Sequence, residues 1–141
     1  MTNISIQTLT EELHMEAKNS NGGVIRIDGN REVGGLEGGI SPMEMLLAAA
    51  GGCSTIDIIR ILKKQKQPLE GIHVDVNGDR QKVGTYSEYK SIHLHFTLRG
   101  DLDPKKVERA IELSVGKYCS VSKALEHTAE IKHSYEIISN E

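Results

Sequence analysis

Cys53 and Cys119 are the residues in this chain whose type most readily does chemistry. They stand 66 positions apart and fit neither a CxxC pair nor a zinc-knuckle spacing. In a reducing compartment two such cysteines are not a structural framework by default, so if they pair, they pair as chemistry. A thiolate is a nucleophile, its oxidation gives a sulfenic acid, a nearby thiol condenses with that acid to a disulfide, and exchange recovers both thiols. Cys119 lies just N-terminal to a short helical pattern and is flanked by Lys117 and Lys123, a setting that favours the thiolate through dipole and charge. Cys53 is the harder case. Asp57 at i+4 raises a thiol pKa if the side chains face each other, and Arg60 at i+7 on the same face offsets it. The bland alternative for Cys53 is a small, buried, inert apolar residue.

The element that must position Cys53 is the stretch from Ser41 to Leu62. Ser41 as N-cap, Pro42 at the first helical position and Glu44 three residues after the serine make a capping-box start. Apolar residues then recur at Met43, Leu46, Leu47, Ala50, Ile56, Ile58, Ile59, Ile61 and Leu62, which predicts a helix apolar on almost every side and buried in the protein. Gly51-Gly52 in its middle costs roughly 1 kcal/mol per glycine against alanine, so close approach of another backbone is expected there. Lys63 to Pro68 closes the helix.

Around it, Ile4 and Ile6, then Leu13, Met15 and Ala17, then Val24 to Ile27 alternate or cluster as short strands, a small antiparallel meander. Gly34, Gly35, Gly38 and Gly39 form a loop feeding the helix; no GxxxxGK[ST] pattern marks it for phosphate. Ile72, Val74 and Val76, then Ile92, Leu94, Phe96 and Leu98, predict two strands with one wet face each. Asp103-Pro104 starts a helix with Val107, Ala110, Ile111 and Ser114 on one face and Gly116 as its stop. A second short helix begins after Cys119, and Ile131, His133, Tyr135 and Ile137 make a final strand. With no βαβ alternation, the fold class is α+β with mainly antiparallel sheet, in one domain over residues 1–141. So apolar a helix needs more cover than this chain offers, which predicts a homodimer.

Composition excludes other classes. A net charge of -3 with 4% aromatic residues and no Trp offers neither the basic excess nor the stacking platform of nucleic-acid binding. The apolar run is read as interrupted by Gly-Gly, Ser54, Asp57 and Arg60 before spanning length, and no signal-peptide h-region follows Met1, so no membrane partner and a cytoplasmic location are expected. His93-x-His95, with His73 or His14, is a conceivable zinc set, but these positions read as the solvent face opposite Ile92, Leu94 and Phe96, so no metal is expected. No cofactor pattern and no GxSxG elbow is present.

The run SPMEMLLAAAGGC, its continuation from Asp57 to Lys64, and KYCSVSKAL resemble the two cysteine boxes of the OsmC/Ohr superfamily over nearly the whole chain. The resemblance implies an intertwined α+β homodimer, with a long buried central helix, two shorter helices and active sites at the subunit interface. It implies a cysteine-based peroxidase that reduces organic hydroperoxides to alcohols in oxidative stress defence. By that resemblance Cys53 attacks the peroxide and becomes a sulfenic acid, Cys119 resolves it to a disulfide, and an external dithiol reduces the disulfide. The family's activating pair, a glutamate directly after the box proline and an arginine from an N-terminal strand, is missing. Met43 stands at the glutamate position, and residues 5–18 hold Glu11, Glu12, His14 and Glu16 but no arginine. Glu44, nine residues before Cys53, falls roughly opposite it on a straight helix and reads as the capping partner of Ser41. Arg26, Arg31 or a residue of the partner chain are the candidate substitutes, with Asp57 and Arg60 as neighbours of the thiol. The alternative function is a non-catalytic dimer that holds an apolar small molecule or an electrophile in the interface pocket around Cys53 and Gly51-Gly52.

Overall fold

The computed structural model describes residues 1–139, which divide into two compact units, Met1–Leu46 and a second from Leu47 onward. In the first, β1 (Ile4–Thr8), β2 (Met15–Asn19) and β3 (Val24–Ile27) form the expected antiparallel meander in that order. Ile6, Ala17 and Ile25 fall in register across it, so the alternation read along each strand becomes one apolar row. The β2–β3 turn is held by Asn19, whose Oδ1 accepts N–H bonds from Asn21 (3.0 Å) and Gly23 (2.7 Å).

The glycine-rich loop turns its donors inward. After a 3₁₀ turn at Arg31–Val33, the chain returns beside β3 through an Ile27–Ile40 bridge. Asp28 is only 2% exposed, and its carboxylate accepts N–H bonds from Gly29 (2.8 Å), Leu36 (3.3 Å) and Gly38 (3.0 Å). Gly35 lies so close on the Gly29 backbone that a Cβ would not fit. Backbone amides of the kind that cradle phosphate therefore serve an internal carboxylate. The Gly38 N–H above all, against the opposing effect of burial, and then those of Gly29 and Leu36 hold the Asp28 pKa below its ordinary value. A carboxyl group with a lowered folded pKa contributes stability above its unfolded pKa of about 3.9, and that contribution disappears as pH falls through the folded value. Asp28→Asn is expected to unfold at lower denaturant than the parent at pH 7, with the gap closing in acid below that window; a pH-independent gap in denaturant melts would refute the account.

α1 (Pro42–Lys64) begins as expected. The Ser41 N–H donates to Glu44 Oε1 (2.9 Å) and the Glu44 N–H donates to Ser41 Oγ (3.3 Å), a reciprocal box that also holds the Glu44 pKa low. One expectation about this helix needs correction. It runs 23 residues without a break, and an 18-residue window within it has mean hydropathy 1.6, long and apolar enough by length and composition to cross a membrane, because Ser54 and Asp57 interrupt the hydropathy but not the backbone hydrogen bonds. Its own chain leaves part of it uncovered, in line with the shortage of cover read from the sequence: Ala50, Gly51, Ser54, Ile58 and Leu62 are buried, whereas Leu46, Gly52, Ile56 and Ile59 are exposed.

The second unit carries a sheet of order β4-β5-β6, built from β4 (Leu69–Val83), β5 (Tyr86–Gly100) and β6 (Glu130–Ile138). β4 and β5 form one long antiparallel hairpin that turns at Gly84, whose φ of 67° suits glycine. The polar stretch between the two apolar runs is thus paired strand, not a loop. Ile92, Leu94, Phe96 and Leu98 are fully buried on one face of β5, and α2 (Pro104–Leu113) buries Val107, Ala110 and Ile111. Each such side chain contributes about 1.5–3 kcal/mol on leaving water. Asp103 caps α2 through the Lys105 N–H (3.0 Å), with Pro104 next, as the sequence predicts. The glycine pair divides its role: a Cβ on Gly51 would come within 2.9 Å of Val76 Cγ2 and 3.5 Å of Val74 Cγ1, so the close neighbours are β4 side chains and not a backbone, while Gly52 faces open space.

Two further expectations fail. Gly116 does not stop α2; the chain passes through it in a π-helical turn, Ser114–Tyr118, that ends at Cys119. And β6 returns parallel to β5, so α2, the π turn and α3 (Ser120–Leu125) form a crossover between parallel neighbours. The other three strand pairings are antiparallel, and the α+β class stands.

Candidate active site

The crossover brings Cys119 to Cys53. The two thiols lie 3.2 Å apart, and one donor atom each from Cys53, Cys119 and Asp57 falls within a 4.8 Å cluster. Both cysteines are reduced; Cys53 is half-buried on α1 and Cys119 fully buried.

Ser114 and the π turn fix this meeting. Where α2 ends, the buried Ser114 Oγ is 3.1 Å from Ser54 O and 3.2 Å from Asp57 Oδ2, which fastens the end of α2 to α1. Five residues on, the Cys119 N–H donates to Ser114 O at 2.7 Å, the i→i−5 bond of a π turn. Cys119 then caps α3 with its sulfur, accepting the Ser122 N–H at 3.3 Å. The neighbouring Val121 N–H is directed at Cys53. The first turn of α3 thus offers one backbone donor to each sulfur.

The electrostatics divide the pair. Burial opposes a Cys119 thiolate, yet Ser122 by side chain and backbone, Ser54 Oγ at 3.5 Å and the Cys53 thiol together outweigh it, and the Cys119 pKa is lowered. The Ser122 hydroxyl approaches the sulfur without completing a hydrogen bond of good geometry. Cys53 moves the other way. Burial pushes its pKa up, the Val121 N–H opposes this, and Cys119 and the Asp57 charge add to the rise. The lowering expected at Cys119 is present but its cause differs, and at Cys53, where the sequence left the balance of Asp57 and Arg60 open, the pKa rises. Lys117 lies over the Tyr118 ring (5.3 Å) and Lys123 pairs with Glu126 (3.3 Å), so hydrogen bonds to sulfur replace the expected lysine charges. Ser54 Oγ also lies 2.8 Å from Ala50 O, so its one proton serves either the carbonyl or the thiolate. Ser54→Ala is expected to raise the Cys119 pKa, read as a thiolate ultraviolet absorbance appearing at higher pH; an unchanged titration would exclude Ser54 as a stabiliser.

Of the neighbours named from sequence, Asp57 joins the thiols, whereas Arg60 is exposed on α1. In the first unit Arg26 pairs with Glu16 (3.5 Å) and Arg31 with Glu37 (3.1 Å). The sequence places Ser114 on the inner face of α2 and Ser54 within the apolar run but gives neither, nor Ser122, a role at the thiols; the one signal for it is their placement on helical patterns near the cysteines. His73, His93 and His95 lie on the polar side of the sheet, whereas His133 shares the face of Ile131 and Tyr135, and His14 lies outside the sheet. His93 Nε2 and His95 Nδ1 both meet Ser134 Oγ (2.8 and 2.7 Å), and His95 Nε2 lies 3.4 Å from Glu136 Oε1. Among the described residues, the metal-ligating side chains that converge are the two cysteines and Asp57.

Comparison with known proteins agrees with this architecture. Protein YhfA of Escherichia coli K12 is 39% identical over 130 residues, 92% of this chain and 93% of its own. The crystal structure of a hypothetical protein from Aquifex aeolicus superposes with a TM-score of 0.85 at 30% identity, covering 100% of this chain and 98% of that one. An organic hydroperoxide resistance protein OsmC from Legionella pneumophila shares the fold, with a TM-score of 0.74 at 18% identity and 96% of each chain covered. The family described as OsmC-like protein matches residues 34–134, a span that includes both cysteines and runs through both units, and the chain belongs to it.

Proposed function

We propose that this protein is a thiol-dependent peroxidase that reduces organic hydroperoxides through a sulfenic acid and disulfide cycle on Cys53 and Cys119. The observation that carries this reading is the 3.2 Å approach of two reduced thiols of opposite pKa shift. Cys53 is the attacking residue because it alone of the two is partly open to solvent. At rest the proton sits on Cys53 and the charge on Cys119; as Cys53 attacks, its proton passes 3.2 Å to the Cys119 thiolate, against the pKa order, and the reaction of the Cys53 thiolate pulls this transfer forward. The Cys53 thiolate attacks the terminal peroxide oxygen, the S–O bond forms as O–O breaks, and the departing alkoxide takes the proton back from Cys119 to leave as the alcohol. Cys119 attacks the resulting sulfenic sulfur, a disulfide forms and water leaves. An external dithiol restores both thiols by exchange.

The relatives named for organic hydroperoxide resistance support this reading through shared fold, and a reduced thiol pair suits a cytoplasmic setting and a role in oxidative stress defence. The whole chain acts as one domain, and a second copy covers the exposed apolar residues of α1, Ile56 and Ile59 among them. A second reading is favoured by the raised Cys53 pKa and the adjacent Asp57: a non-catalytic dimer that holds an apolar molecule or an electrophile near Cys53. Stoichiometric cumene hydroperoxide, followed by mass spectrometric mapping, separates them. The peroxidase loses two thiols and gains a Cys53–Cys119 crosslink; slow, unlinked oxidation refutes it.

A further inference from the structure

We propose that Cys53, Asp57 and Cys119 also form a binding site for a thiophilic divalent cation of the zinc class. The three residues offer two sulfurs and a carboxylate oxygen within 4.8 Å, one of the donor sets such ions favour. Three protein ligands leave a tetrahedral ion one open position, here on the half-buried Cys53 side. Two sulfurs at about 2.3 Å from a tetrahedral centre stand about 3.8 Å apart. The present 3.2 Å separation must therefore open only slightly, a change that side-chain rotation supplies.

Each ligand is already held from behind. Ser114 Oγ lies on Asp57 Oδ2, the Val121 N–H points at Cys53, and the Ser122 N–H and Ser54 Oγ address Cys119. Such outer partners fix ligand orientation in metal sites. The buried Ser122 hydroxyl, with no hydrogen bond of its own, is a further polar group beside the sulfur. Binding forms two metal–sulfur bonds and one metal–oxygen bond and releases the thiol protons to solvent, at most two per ion, with no change of oxidation state. Affinity therefore rises with pH through the thiol range. The site uses the sulfurs of the peroxidase reading but none of its reaction.

The test is titration of the reduced, chelator-treated full chain with Cd(II), read by the thiolate-to-cadmium ultraviolet band, and with Zn(II) in competition with a chromophoric chelator. The expected result is saturation at one ion per chain, loss of the saturable band in Cys53→Ser, and weakening by at least about tenfold in Ser114→Ala and in the near-isosteric Asp57→Asn. Zn(II) must also protect Cys53 of the unaltered protein against maleimide, a readout that needs no variant to fold. An unsaturable band, equal affinity in Asp57→Asn, or no protection would overturn the site. A chain that crosslinks with hydroperoxide yet fails these tests loses the metal site alone; one that binds the ion and does not crosslink loses the peroxidase reading alone.

Discussion

Cys53→Ser is expected to reduce hydroperoxide consumption by at least about 10³-fold, because a hydroxyl neither matches the thiolate as a nucleophile nor can be oxidised in its place. Cys119→Ser should behave differently. It removes the proton acceptor and the resolving thiol, so a single slower oxidation is expected to stop at a Cys53 sulfenic acid, which dimedone would label. The two variants thus separate attack from resolution, and single-turnover consumption with intact-mass analysis reads both. The assignment is exposed to failure because the sulfur with the lowered pKa is Cys119, not Cys53. Full peroxide consumption by Cys53→Ser, together with an inert Cys119→Ser, would show that the buried thiolate is the attacker and would reverse the roles.

The second large effect is structural. Phe96→Ala is expected to cost about 3–5 kcal/mol, since Phe96 has no exposure on β5, the middle strand of its sheet, and truncation leaves a cavity that flanking Leu94 and Leu98 on the same strand face cannot fill. His95, one residue earlier, points to the opposite side, where it meets Ser134 and Glu136. His95→Ala should cost less than about 1 kcal/mol by the usual worth of an exposed hydrogen bond. Urea melts of the two variants would compare the faces directly, and similar midpoints would contradict the period-two reading of this strand.

What was legible in the sequence was what depends on neighbours along the chain. The Ser41–Glu44 box, the Asp103-Pro104 start, the meander around Ala17 and Ile25 and the burial of Ile92 through Leu98 follow from local hydrogen bonding and periodicity, and all are present. The pairing partner of β6 was not, because Ile131 to Ile137 alternates identically in a parallel or an antiparallel pair. The shortage of cover on α1 was legible, but not which of its residues stay exposed, since a helix apolar on almost every side does not show which face its own chain covers. At the site, the two cysteines announced themselves by type. The serines that tune them did not, because a serine on a helical pattern shows its partner only once Ser54, Ser114 and Ser122 have been brought to the sulfurs and Asp57.

The π turn makes Cys119 a matter of counting as much as of identity. An α-helical continuation from Ser114 would advance 100° per residue with i→i−4 bonding, whereas the observed bond from Cys119 spans five residues. The segment SVGKY therefore carries the sulfur to its place by its length, and Gly116 and Lys117, both exposed, tolerate changes of side chain better than the loss of either position. Removing one residue would leave both thiols in the protein and rotate one away from the other, so relatives with a shortened link here would keep the cysteines while losing their meeting.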